Sequence, residues 1–163
     1  MNDILLNVVG EVASPRQFSF ADLAAIDPTL QISDVSQIAN GRQGAAVQLA
    51  AILALVQPKP TARYLNLHSA ADNFHASIPL TAVAGKAIVI YRLNDQPLSP
   101  KAGGPIRFFI PNHSACHSTE IDECANVKFV DTLELTNDKG FDNRPHDDQE
   151  HANLHAQSNL PGK

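Results

Sequence analysis

Residues 112–131 read NHSACHSTEIDECANVKFVD and hold both cysteines of the chain, Cys116 and Cys124. His113 and His117 stand beside Cys116, and Glu120, Asp122 and Glu123 lie between the two thiols. His113, Cys116, His117 and Cys124 together offer two nitrogen and two sulfur donors, a mixed set that zinc or iron accepts tetrahedrally. The spacing H-x2-C-H-x6-C is not that of a zinc finger, and adjacent Cys116 and His117 rarely both reach one ion. Three other readings fit the same residues. HSACH is a c-type haem attachment motif with His113 in place of the first cysteine. A Cys116–Cys124 disulfide would close a small loop. A solvated polar loop needs no chemistry at all.

Further histidines lie in HDDQEHANLH. His151 and His155 share a helix face at i, i+4, as in helical zinc sites, but the glutamate precedes both of them. A metalloprotease base would therefore be misplaced, and an exposed histidine run is the reading preferred. No nucleophile elbow, Ser-His-Asp set or phosphate-binding loop occurs.

These residues need elements to position them. ILLNVVGEV is apolar and β-branched enough for a first strand. SFADLAAIDP predicts a short helix with Ser19 as N-cap, Asp22 three residues on and Pro28 as the stop. TLQISDVSQI predicts a strand, and AAVQLAAILALV a helix ending before Pro58. Leu65 and Leu67, then Phe74, Ala76, Ile78 and Leu80, alternate with polar neighbours on two runs around AADN. They predict a hairpin with Leu65 facing Ile78, Leu67 facing Ala76, and His68 opposite His75 on the other side, where both histidines read as surface residues rather than ligands. KAIVIYRL has the unbroken apolar centre of a strand covered on both faces. PIRFFIP and NVKFVDTLELT predict two more strands, separated by a connection of unusual length for a compact domain.

The chain has 163 residues, 44% of them hydrophobic, with a net charge of −5. That length suits a single domain with a real core. Lys and Arg are scattered singly, which argues against a nucleic-acid partner. No apolar run approaches the ~20 residues of a membrane span, and the N-terminus has no basic, apolar and small-residue leader pattern. A cytoplasmic address is the expectation, with reduced thiols. The elements fill residues 1–136; residues 137–163 turn polar and read as a His-rich tail, extended or forming a short helix.

Residues 30–136 resemble the molybdopterin-binding domain of the sulfite oxidase family, specifically its small single-domain bacterial members. IVIYRLNDQPLSP, AGGPIRFFIP and VKFVDTLEL stand in the family's order after an aromatic-bearing hairpin, and GRQGAAVQLAAIL is similar to the family's G-V-x-L helix start. The resemblance implies an α+β fold, β-rich, with mixed sheets and short helices. It also implies that Arg107 and Lys128 contact the phosphate of a molybdenum cofactor, where a guanidinium fork and a point charge both serve. Gly103 and Gly104 would let backbone come close.

Three positions depart from the family pattern. Ala102 replaces a histidine, Phe129 replaces a tryptophan, and QISDVSQIANGRQG lacks the cysteine that ligates molybdenum. Ser33, Asp34 and Ser36 stand there instead, and their oxygens are harder ligands than a thiolate. The expectation is an oxidoreductase-like molybdopterin domain with a degenerate active site and a protein redox partner. The alternative is a non-catalytic binding module that uses residues 112–126 for a transition metal or a protein partner.

Overall fold

The computed structural model describes residues 3–39, 41–111 and 126–144. Ile4–Gly10 (β1) opens the first sheet, alternating Leu6 and Val8 into the core. Arg16–Ser19 (β2) pairs antiparallel with it. Ser19 then caps Phe20–Ala24 (α1): its hydroxyl accepts from the Asp22 amide at 3.1 Å, and the Asp22 carboxylate accepts from the Ser19 amide at 2.9 Å. This reciprocal box satisfies two donors that a helix start leaves orphaned. It also holds the Asp22 carboxyl below its ordinary value.

The hairpin Tyr64–Ser69 (β5) and Phe74–Pro79 (β6) has the register expected from alternation: Leu65 opposite Ile78, Leu67 opposite Ala76, His68 opposite His75. Thr132–Thr136, the tenth strand (β10), pairs antiparallel with β5 and parallel with β1. The first sheet therefore runs β2-β1-β10-β5-β6.

A second sheet packs on it. Gln31–Ile32 (β3), Ala45–Gln48 (β4) and Ile88–Leu93 (β7) run antiparallel in that order, with Gln96–Pro97 (β8) and Arg107–Phe109 (β9) both on the far edge of β7. β7 is covered on both faces. Val89 and Tyr91 join the main core with Leu6, Val8, Phe18 and Phe108, while Ile88 and Ile90 meet Val35, Ala39, Ala46 and Leu98 in a second cluster. Leu49–Val56 (α2) inserts Leu49, Ile52 and Val56 into the main core.

Several predicted elements are shorter than expected. The strand over TLQISDVSQI is only Gln31–Ile32, flanked by the 3-10 turns Pro28–Leu30 and Val35–Gln37. The helix expected over AAVQLAAILALV begins only at Leu49, because Ala45–Gln48 is drawn into the sheet between β3 and β7. Backbone pairing on two edges outweighs the helical preference of Ala45, Ala46 and Gln48. In NVKFVDTLELT only Thr132–Thr136 is strand, and Phe129 adopts a positive φ of 58°.

Residues 137–144 fold back on the polar face of β5 and β6. The Gly140 amide donates to the Ser77 hydroxyl, the Ser77 amide to the Asp142 carboxylate, and the His75 amide to the Asn143 side chain. Asn66 and Ser77, polar and on the outer face, are consequently both 0% exposed. A Cβ on Gly140 would lie 2.3 Å from Asn66 Oδ1, so glycine lets this strap come close.

Candidate functional site

Arg107 opens β9, opposite Ile90, and Phe108 next to it points into the main core. Alternation therefore puts Arg107 and Phe109 on the other face of the second sheet. Its side chain runs past Gly103, whose φ of +94° suits glycine and where a Cβ would meet Arg107 Cδ at 2.7 Å. Arg107 Nη1 approaches the Ala102 carbonyl oxygen at 3.4 Å, a long contact that satisfies little of the guanidinium.

Arg42 joins Arg107. It follows Gly41, its amide closes a turn onto the Ala39 carbonyl at 2.9 Å, and its guanidinium stacks 5.2 Å from the Phe109 ring centroid. Burial, and then the charge of Arg42, push the Arg107 guanidinium below its ordinary value. Among the described residues, no carboxylate is paired with either arginine. Two convergent cations, one half-buried, form a place where an anion gains more than in water.

Lys128 is brought to the same corner through its backbone. The Phe129 amide donates to the Gly103 carbonyl at 2.8 Å, Val130 to Ile106 at 2.9 Å, and Phe108 to Val127 at 2.9 Å. The Lys128 ammonium lies 5.7 Å from the Phe129 ring centroid, and the residue is exposed. Gly104 sits beneath: a Cβ there would meet the Leu98 carbonyl oxygen at 2.1 Å. The structure gathers Gly103, Gly104, Arg107 and the Lys128 backbone, and adds Arg42. Arg42 lies at the head of GRQGAAVQLAAIL, where neither its type nor its spacing marked it as a site residue.

The stretch that lacks the cysteine is shaped by its own side chains. Asp34 caps the 3-10 turn Val35–Gln37, its Oδ1 accepting from the Ser36 amide at 3.0 Å and the Ser36 hydroxyl at 2.5 Å. Ser33 faces two neighbouring clefts of about 290 and 400 Å³, both also lined by Ala45, Arg92 and Asp95. The donors here are hydroxyl and carboxylate oxygens, suited to hard cations rather than to the thiolate chemistry of the family.

His113, Cys116, His117 and Cys124 lie outside the described residues, as do His151 and His155. Among the described residues, no cluster of three or more His, Cys, Asp or Glu side chains is placed to hold a metal ion. No described helix is long and apolar enough to cross a membrane.

Comparison with known proteins places the chain in a family. The family "Oxidoreductase molybdopterin binding domain" matches residues 1–141. Among solved structures, the sulfane dehydrogenase SoxCD from Paracoccus pantotrophus is similar in fold, with a TM-score of 0.61 and 22% identity. The match covers 85% of this chain but only 39% of that one. No curated protein matches. Over nearly all of its described length, then, the chain belongs to the oxidoreductase molybdopterin-binding domain family, with an α+β fold of the sulfite oxidase type.

Proposed function

We propose that this chain holds a molybdopterin cofactor by its phosphate end at the Arg42–Arg107 corner, in an oxidoreductase-like domain whose metal end is degenerate. The observation that carries this is the half-buried Arg107, pressed by Arg42 and lacking a carboxylate partner among the described residues. Such an arrangement costs free energy in the empty protein and is offset when a phosphate arrives. Arg107 supplies a fork, Arg42 a second positive group braced on Phe109, and Lys128 a mobile point charge at the rim. Gly103 and Gly104 keep side chains out of the cradle.

A molybdopterin cofactor, when bound, supplies two-electron oxygen-atom transfer at molybdenum. The chain's own part is to neutralise and orient the phosphate end. At the other end it offers Ser33, Asp34 and Ser36 oxygens in the segment where the family has a thiolate. Electrons would leave to a protein redox partner.

Metal content decides the matter. Untagged protein, purified without oxygen from a host that makes molybdopterin, is expected to carry molybdenum near one per chain by mass spectrometry. Arg107→Met and Arg42→Met should each reduce that occupancy. Zinc or iron without molybdenum would overturn the proposal in favour of a binding module centred on residues 112–126. Protein without metal would overturn it too.

A further inference from the structure

The polar face of the first sheet carries a chain of four side chains. His68 and His75 face each other across β5 and β6, with their Nδ1 atoms 2.8 Å apart. The outer nitrogens each meet an oxygen: His68 Nε2 lies 2.9 Å from Glu134 Oε1, and His75 Nε2 lies 3.2 Å from Asn73 Oδ1. Glu134 comes from β10, next to β5, where it is the partner of Asn66. The Phe141 ring of the strap covers one side of His75 at 5.1 Å between centroids.

The Glu134 carboxylate accepts, so His68 Nε2 carries hydrogen and the His68 Nδ1 lone pair turns inward, 2.8 Å from His75 Nδ1. With the Nε2 hydrogen of His75 given to Asn73 Oδ1, both Nδ1 atoms are open to one cation. Metal-binding histidines have this same outer arrangement, with the far N–H given to a carboxylate or carbonyl that fixes the ring and raises its basicity. Burial and then the neighbouring His68 hold His75 below the ordinary imidazole range, with Asp131 opposing.

We infer that His68 and His75 form a two-histidine site for a divalent transition-metal ion, with Glu134 and Asn73 as the groups that orient them. A tetrahedral ion bound at about 2.0 Å holds two nitrogens roughly 3.3 Å apart, so the rings have to open by only about half an ångström. The ion displaces any hydrogen held between the two Nδ1 atoms, which passes to solvent as a proton, and no electron moves. Water completes the coordination, since His68 and His75 are both only partly buried. The site is separate from the Arg42–Arg107 corner and does not depend on the cofactor proposal.

Zinc(II) is the probe, added to the full chain purified without molybdenum cofactor. Long-range proton–nitrogen NMR resolves each histidine, which separates this pair from the other five in the sequence. On the first equivalents of zinc, the Nδ1 signals of His68 and His75 are expected to shift together while both Nε2–H signals persist. Calorimetry should lose one equivalent of zinc in His75→Gln, and Glu134→Gln should weaken that equivalent about 10–100-fold. Zinc that leaves both rings unmoved in the wild-type chain would overturn the inference, as would full stoichiometry in a folded His75→Gln variant.

Discussion

Arg144 Nη2 lies 2.6 Å from Asp142 Oδ2, and both side chains are buried, at 4% and 5% exposure. Nε of the same arginine donates to both carboxylate oxygens, and the Ser77 amide donates to Oδ2 at 2.9 Å. The pair fastens the strap of residues 137–144 to β6. Burial pushes the Asp142 carboxyl up, but the hydrogen bonds from Arg144 and Ser77 outweigh it and hold the carboxyl below its ordinary value. A depressed carboxyl contributes stability above its unfolded value, near 3.9, and loses it as pH falls through the folded value. Unfolding titrations from pH 7 to pH 2 should therefore show Asp142→Asn less stable by roughly 3–5 kcal/mol at neutral pH. The gap should narrow below about pH 4. A constant gap across that range would refute the assignment.

Arg107 stabilises a ligand more than it stabilises the fold. Arg107→Met keeps most of the aliphatic stem against Gly103 and removes a charge that Arg42 repels. Thermal unfolding of the cofactor-free variant should lie no lower than about 2–4 °C below wild type, the shift that ~1 kcal/mol produces in a chain of this size. Pyrophosphate binding by calorimetry should weaken about tenfold or more, as expected when a charged hydrogen bond is lost.

Gly103 should not tolerate a side chain. Its positive φ and the 2.7 Å approach to Arg107 Cδ together predict that Gly103→Ala costs about 1–3 kcal/mol and displaces the guanidinium. Chemical denaturation measures the cost. Pyrophosphate calorimetry on the folded variant checks the displacement, which should appear as weakened binding.

The capping box of α1 shares no residue with either site and offers a control. Ser19→Ala removes the hydroxyl that accepts from the Asp22 amide and should cost about 1 kcal/mol in urea unfolding. Phosphate or zinc binding should not change.

What was legible in the sequence was what is local and periodic. The β5–β6 hairpin could be aligned residue by residue because a one-residue slip would turn Leu65, Leu67, Ala76 and Ile78 out of the core. Ser19 and Asp22 announced a helix start by their spacing alone. β2 was not visible: RQFS is four residues with one large apolar side chain, and it is a strand because β1 lies beside it. Ala45–Gln48 reads as the start of a helix, and β3 and β7 turn it into a strand. The strap looked like a polar tail because its partners, Asn66, His75 and Ser77, are polar too. At the candidate site, Arg107, Lys128 and the glycines were named only through the resemblance to the family, because no local pattern marks a phosphate contact. Arg42 became visible only when the fold set it above Phe109.

The parallel seam between β1 and β10 sets an order of assembly. β10 sits in the middle of the first sheet, between the earliest strand and the β5–β6 hairpin, yet it follows all of them along the chain. As the chain emerges from a ribosome, β1–β2 and β5–β6 can each form while the seat between them is empty. Each then presents a raw edge to another nascent copy. Closure waits for residues 132–136 to slot in like a keystone.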